Sequence, residues 1–294
     1  AGDHIVSARA LFGSTHTLFT KYLPKWEIST SYFPVDDLSL VEDLIQSNTK
    51  CIYVESPTNP GVDILDLEAI GKIAKKHKLL FIVDNCFATP YLQQPIKYGA
   101  DLVIHSATKL MDGQGRVLGG VTVGSKELIR ELFLFARNTG ASLSPFNAWV
   151  LSKSLETLAV RVDRHCDNAF TIAEKLEVSQ NINWVKYPFL KSHPQYALAK
   201  KQMLKGGNII AFELIGGLEA GQNFINAIEL CSLSSNLGDS RTIITHPAST
   251  THSKLTKEDR MAVGITDGMI RLSIGLEHPE DIWNDLKNAL SKIG

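Results

Sequence analysis

The 294 residues, 44% of them hydrophobic and 21% charged, suffice for one large and one smaller packed domain and exclude a disordered or fibrous chain. Lys and Arg number 30 against 31 acidic residues; the formal net charge of -1 offers no basic field for nucleic acid or an anionic membrane, so a small molecule is the expected partner. No apolar run approaches the roughly 18–20 residues of a membrane span and no charged-then-apolar leader opens the chain, which makes the cytoplasm the expected compartment.

The opening Ala1-Gly-Asp-His4 carries neither Met nor a helix or strand signal, and reads as the ordered remainder of a longer polypeptide. From residue 51 to 123 short apolar runs alternate with helical periodicity, the pattern of a mostly parallel sheet covered by helices. Strands are expected at 51–55, 79–84, 101–105 and 119–123. A helix is expected at 66–77, where lysines gather at the C-terminal end favoured by the helix dipole. Right-handed crossovers then bring neighbouring strand ends to one edge, and ligands of such sheets gather beyond the carboxyl ends. Residues 55–60, 84–90 and 106–109 are therefore the candidates for chemistry.

A single long helix is expected from about 147 to 177, uninterrupted by proline. Beyond it the chain reads as strand 208–214, helix 220–229, strand 241–245, strand 269–275 and helix 279–292. A boundary near residue 153 divides a large domain, 1–153, from a smaller C-terminal α/β domain, 154–294. Cys51, Cys86, Cys166 and Cys231 lie far apart, with neither a Cys-x-x-Cys pair nor a ligand cluster, and are expected to be buried thiols with no metal role.

The strand ends carry three suggestive groups. In Ser106-Ala-Thr-Lys109, the lysine suits an amine that forms an imine, and the hydroxyls of Ser106 and Thr108 suit a phosphate; by itself the motif also fits a strand-to-loop turn with a solvated lysine. Asp84 ends the preceding strand, 25 residues before Lys109, where a carboxylate suits a pyridinium nitrogen and equally suits a helix N-cap. In Glu55-Ser-Pro-Thr-Asn-Pro60 two prolines stiffen a loop that presents Asn59 to a cofactor's phenolic oxygen or a substrate carboxylate, or forms a rigid turn and nothing more.

These motifs, with Val83-Asp-Asn-Cys-Phe-Ala-Thr-Pro-Tyr-Leu92, Ser235-Asn-Leu-Gly-Asp239, His246-Pro-Ala-Ser-Thr-Thr-His252 and Ile270-Arg-Leu-Ser-Ile-Gly-Leu-Glu277, resemble the Cys/Met-metabolism family of pyridoxal-phosphate enzymes over nearly the whole chain. The resemblance implies the aspartate-aminotransferase-like fold, PLP fold type I, and pyridoxal 5'-phosphate as cofactor. Lys109 would carry it as a Schiff base and act as catalytic base, Asp84 would pair with the pyridine nitrogen, and Ser106 and Thr108 would hold phosphate. Arg271 would clamp the substrate α-carboxylate through its guanidinium fork, the alternative being a surface ion pair. Asn236 and Thr251 would lie near the substrate. A homotetramer is implied too, as is a segment ahead of residue 1 with a Gly-rich phosphate turn and Tyr and Arg residues that reach a neighbour's cofactor.

Within the family, Gly113-Gln-Gly-Arg116 is similar to the branch acting on O-succinylhomoserine and sulfide to give homocysteine. Arg116 then either meets the succinyl carboxylate or braces its own loop. Leu11-Phe12-Gly13 stands where the lyases carry a tyrosine, so Phe12 stacks on the cofactor ring but gives no proton. A carboxylate such as succinate leaves without protonation, which favours an acyl-homoserine over cystathionine or methionine. The alternatives are a cystathionine γ-synthase or γ-lyase, an O-acetylhomoserine sulfhydrylase, or a silent scaffold of the same fold.

Overall fold

A computed structural model describes residues 1–250, 256–262 and 264–293. The chain forms two compact units: Ala1–Asn59 with Asp63–Ser106 and Gly119–Ala148, and Pro60–Val62 with Ala107–Leu118 and Trp149–Gly294.

The first unit is built on a six-stranded sheet: β1 (His4–Ala8), β2 (Ser29–Phe33), β3 (Thr49–Glu55), β4 (Leu80–Asp84), β5 (Leu102–Ser106) and β6 (Gly120–Gly124), in the order β2-β1-β3-β4-β5-β6. All pairings are parallel except β5 with β6. Alternation along the strands divides the side chains between two faces. One face buries Val6, Ile52, Val54, Phe81, Val83 and Val103 with Leu67, Ile70 and Ala74 of the helix Leu67–His77. Each fully buried Ile or Phe there contributes about 1.5–3 kcal/mol. Asp66 caps the helix by accepting the Ala69 N–H at 2.9 Å, and Lys78 ends it at a φ of 56°. The opposite face gathers Tyr53 with Leu11 and Phe19, flanked by Ile5, Ile82 and Ile104.

The second unit has a five-stranded sheet of β7 (Ile182–Lys186), β8 (Ile209–Leu214), β9 (Ser232–Leu233), β10 (Ile243–Thr245) and β11 (Met269–Ser273), ordered β7-β8-β11-β10-β9. Phe212, Ile244, Ile270 and Leu272 bury themselves against Ile172 and Leu176 of the helix Leu158–Glu177, Phe224 of the helix Gly217–Asn226, and Ile282 and Leu286 of the helix Pro279–Leu290.

Several expectations need correction. The chain's opening does form structure: β1 begins at His4, whose Nδ1 lies 2.8 Å from the Thr49 hydroxyl. The expected long helix is two, Pro145–Leu155 and Leu158–Glu177. The break arises because polar side chains claim the carbonyls that helical N–H groups would use. The Ser154 hydroxyl donates to the Val150 carbonyl at 2.7 Å, and the Thr157 hydroxyl and Arg161 both donate to the Ser154 carbonyl, at 3.2 and 3.0 Å. Cys166 and Cys231 are buried, whereas Cys51 and Cys86 are only half-buried. A further helix, Lys126–Thr139, was not anticipated; none of its residues is buried.

Candidate active site

In the first unit, β3 and β4 run in parallel with Glu55 opposite Asp84, and β4 and β5 with Asp84 opposite Ile104. Neighbouring strands lie about 4.8 Å apart, and residues in register share a face. Glu55, Asp84 and, two residues beyond Ile104, Ser106 therefore line the carboxyl ends of three strands on the face that carries Tyr53. His105 belongs to the opposite face. Burial pushes its pKa down to about 4, so the imidazole is neutral.

The two carboxylates differ in their partners. Asp84 accepts the Cys86 N–H through Oδ1 at 3.0 Å. Glu55, only 4% exposed, accepts the Phe12 N–H through Oε2 at 2.7 Å and a second backbone N–H from Asn59. Neither has a cationic partner among the described residues. Burial raises the Asp84 pKa to about 6. Burial, then the charge of Asp84, pushes Glu55 well above the usual carboxylate range. A carboxyl pair held at strand ends without a cation among the described residues is an acceptor set that a protonated ring nitrogen would fit.

The loops behind these carboxylates are tied together from the core side. Asn85 donates through Nδ2 to the carbonyls of Thr89 and Gln93 at 3.0 and 2.9 Å, and Gln93 donates through Nε2 to the Ser56 carbonyl at 2.8 Å and the Asn85 side chain at 2.9 Å. Both side chains are buried, so these bonds fix the turns after β3 and β4. Phe12, 49% exposed, precedes the short helix Gly13–Thr17 and leaves its ring accessible.

In the second unit, the chain past Ser106 turns tightly: Asp112 donates its N–H to the Ala107 carbonyl at 3.0 Å and Gly113 its own to the Lys109 carbonyl at 2.8 Å. Lys109 donates from Nζ to Asn236 Oδ1. Arg271, on β11 and 5% exposed, donates from one guanidinium nitrogen to the Ser235 and Asn236 carbonyls at 2.9 and 3.0 Å. Burial lowers the Arg271 pKa to about 10, still far above neutrality, so the fork keeps its charge. Lys109, Asn236 and Arg271 are thus one hydrogen-bonded chain. Gly238 allows it: its φ is +71°, and a Cβ there would stand 2.6 Å from the Leu110 nitrogen and 3.0 Å from the Lys109 carbonyl carbon.

The guanidinium of Arg116 is occupied locally. Its Nε donates to Asp112 Oδ1 at 3.0 Å, and one terminal nitrogen donates to the Asp112 carbonyl at 3.1 Å and the Ser154 hydroxyl at 2.7 Å. This is the loop-bracing arrangement. Thr108 is half-buried beside Lys109. Thr251 lies outside the described residues. Sequence reasoning placed Glu55 in a candidate stretch but gave it no role, although its even spacing from Tyr53 and its place opposite Asp84 put it on the same face. It also passed over Asp112, although the four-residue spacing to Arg116 signals the pair. No cluster of metal-ligating side chains occurs among the described residues, and no described helix is long and apolar enough to cross a membrane.

A family model described as Cys/Met metabolism PLP-dependent enzyme matches residues 1–291. The chain is 45% identical over 293 residues to the O-succinylhomoserine sulfhydrylase of Pseudomonas aeruginosa, covering 100% of this chain and 73% of that one. It is 46% identical over 296 residues to the L-methionine gamma-lyase of Fusobacterium nucleatum subsp. nucleatum, covering 100% and 75%. Among solved structures, cystathionine gamma-lyase from Lactobacillus plantarum complexed with L-serine superposes with a TM-score of 0.95 at 36% identity, over 100% of this chain and 77% of that one. The fold is accordingly PLP fold type I, as expected, and pyridoxal phosphate is the cofactor. With strand-end carboxylates on one unit and a lysine tied to a buried arginine on the other, the chain belongs to the Cys/Met metabolism family of PLP-dependent enzymes and acts on amino-acid substrates of sulfur metabolism.

Proposed function

We propose that the protein catalyses γ-replacement on an O-acylhomoserine, converting O-succinylhomoserine and hydrosulfide to homocysteine and succinate. The observation that carries the assignment of roles is the hydrogen-bonded chain Lys109–Asn236–Arg271. It ties an amine and a guanidinium to one asparagine, the first through its side chain and the second through its carbonyl, and these are the two groups that would address the α-amino and α-carboxylate groups of an amino acid.

Lys109 is the residue whose amine would hold the cofactor and would serve as the base for the proton on the substrate α-carbon. When bound, pyridoxal phosphate supplies the electron sink that makes that proton acidic. Asp84 would face the ring nitrogen as its counter-charge, Ser106 and Thr108 would donate to the phosphate, Asn59 would meet the phenolic oxygen, and Phe12 would cover the ring. Asn236 holds the lysine amine until substrate enters, and Arg271 holds the carboxylate while keeping the 235–236 turn in place. Thr251 belongs to the substrate side of this reading. Arg116 is given the bracing role, through Asp112 and Ser154.

The succinyl ester is favoured because succinate departs as a carboxylate and needs no acid, and Phe12 provides none. Similarity to the P. aeruginosa O-succinylhomoserine sulfhydrylase supports it. A second reading, lyase action on methionine or cystathionine, rests on the equal similarity to L-methionine gamma-lyase. In either, residues 1–153 serve as the cofactor domain and 154–294 as the small domain, in a cytoplasmic homotetramer. Self-association is supported by the helix Lys126–Thr139, which leaves Phe133 and Phe135 53% and 69% exposed.

Absorption spectra of the protein with pyridoxal phosphate, before and after borohydride, test the anchor. A visible band that borohydride bleaches and traps at Lys109, absent from Lys109→Ala, is the expected result. Succinate release from O-succinylhomoserine with hydrosulfide then tests the substrate. Release of methanethiol from methionine without succinate release would replace it with the lyase reading.

A further inference from the structure

We infer that Glu55 is a positioning residue for the cofactor: one buried carboxyl group holds, through their peptide N–H groups, both Phe12, which would cover the ring, and Asn59, which would meet its phenolic oxygen. The inference rests on the reading of this strand-end face as the pyridoxal phosphate site.

Phe12 lies 43 residues before Glu55 in the chain, and Asn59 four residues after it. Their common partner is the Glu55 carboxyl group, at 2.7 Å from the Phe12 nitrogen. Besides this bond, Phe12 is held by the burial of its neighbour Leu11 against Tyr53 and Phe19 and by its carbonyl, which accepts the His16 N–H at 3.0 Å. The helix Gly13–Thr17 that follows it buries no residue, and its N-terminus has no side-chain cap. Asn59 sits at the end of a loop whose earlier residues are tied down, Ser56 through Gln93 and Thr58 by donating its N–H to the Asp63 carbonyl at 3.0 Å. The contact with Glu55 is what joins the two loops.

The residue type is what this task requires and what packing alone would not select. A carboxyl group buried without a cation is costly unless donors satisfy it, and an apolar side chain would serve the core better. A carboxyl group can meet the two N–H donors with either of two oxygens; Gln keeps only one accepting oxygen and puts an NH2 group in the place of the other, and Asp is shorter by one methylene, about 1.5 Å of reach. Glu55 also lies in register with Asp84 on the same face, so the acceptor that fixes the ring's cover and edge stands beside the carboxylate that meets its nitrogen.

The test uses purified protein reconstituted with pyridoxal phosphate, comparing wild type with Glu55→Gln and Glu55→Asp. Two quantities are read: hydrogen exchange at the Phe12 and Asn59 amides, and visible circular dichroism per cofactor trapped by borohydride. An achiral chromophore gives that dichroism only when held in one asymmetric pose. Both variants should exchange one or both amides about tenfold faster than wild type, the effect of one lost buried hydrogen bond. They should also lose at least half of the dichroism per trapped cofactor, a signal that a general loss of stability would not move once normalised to cofactor. Unchanged exchange and dichroism in Glu55→Gln would overturn the inference. If neither variant folds, wild type alone decides: Phe12 and Asn59 amides should exchange at least tenfold more slowly than the first-turn amides of Gly13 and Ser14, which have no partner within their helix, and equal rates would overturn it. Failure of wild type to trap cofactor at Lys109 would instead sink the assignment of the site, leaving the amide result to speak for Glu55.

Discussion

At the scale of single residues, Asp84 shows how burial shifts the proton affinity of an ordinary side chain. Burial raises the Asp84 pKa from 3.8 to about 6. In the cofactor-free protein the folded chain keeps a proton that the unfolded chain releases between those values. The folded state gains from this below about pH 4 and loses the gain as pH rises through 6. Asp84→Asn removes the buried charge and keeps an oxygen for the Cys86 N–H. Its cofactor-free form should match wild type in thermal unfolding at pH 4 and exceed it at pH 7, by on the order of 2 kcal/mol. An equal offset at both pH values would show that burial of the charge is not the cause. The holoenzyme should lose activity in the same variant, on the order of 100-fold, because the ring nitrogen loses its counter-charge. The strand-end positions of Asp84 and Ser106 were legible because each closes a short apolar run. The tie from Glu55 to Phe12 was not, since no short-range pattern links positions 43 apart.

At the scale of elements, two glycines mark where backbones meet too closely for any side chain. Gly71 lies on the helix Leu67–His77, and a Cβ there would stand 2.1 Å from the Tyr98 carbonyl oxygen. Gly71→Ala must push the helix off the turn around Tyr98, at a cost of about 2–3 kcal/mol in unfolding free energy, measurable by urea titration. Gly238→Ala acts elsewhere. Its Cβ would strike the Lys109–Leu110 peptide, and alanine also disfavours a φ of +71°. The turn that carries Asn236 should move away from Lys109, so borohydride trapping of the cofactor should slow by about tenfold while the first unit's strands keep their amide protection. Uniform loss of protection in both units would contradict this local account. The helices themselves were largely legible from periodicity. The interruption before Leu158 was not, because it depends on Ser154, Thr157 and Arg161 competing for carbonyls rather than on any Pro or Gly.

At the scale of the whole molecule, each unit has its own sheet and its own core, and the Lys109 segment enters the second unit directly after β5 ends in the first. Only Ala107 and Thr108 separate Ser106, the last residue of β5, from Lys109 along the chain. The helix Lys126–Thr139 leaves Phe133 and Phe135 largely exposed. Large apolar side chains left exposed on more than one side of a helix favour a covered state, and the proposed assembly would cover them. Phe133→Asp with Phe135→Asp should lower the assembly state in sedimentation velocity. A double variant that sediments like wild type would place the interface elsewhere.

The sequence by itself determined the mostly parallel sheet and the strand ends, because apolar alternation is encoded within a few residues; the cofactor and the family came from the resemblance its ordered motifs bear to a known family. Tertiary structure alone decided which side chains share a face and which carboxyl group satisfies which peptide N–H. It decided that Asn236 links Lys109 to Arg271, and that Arg116 is engaged by Asp112 and Ser154. The reason is physical: strand register and loop closure bring together groups from distant parts of the chain, and a buried donor or acceptor takes whatever partner that closure delivers.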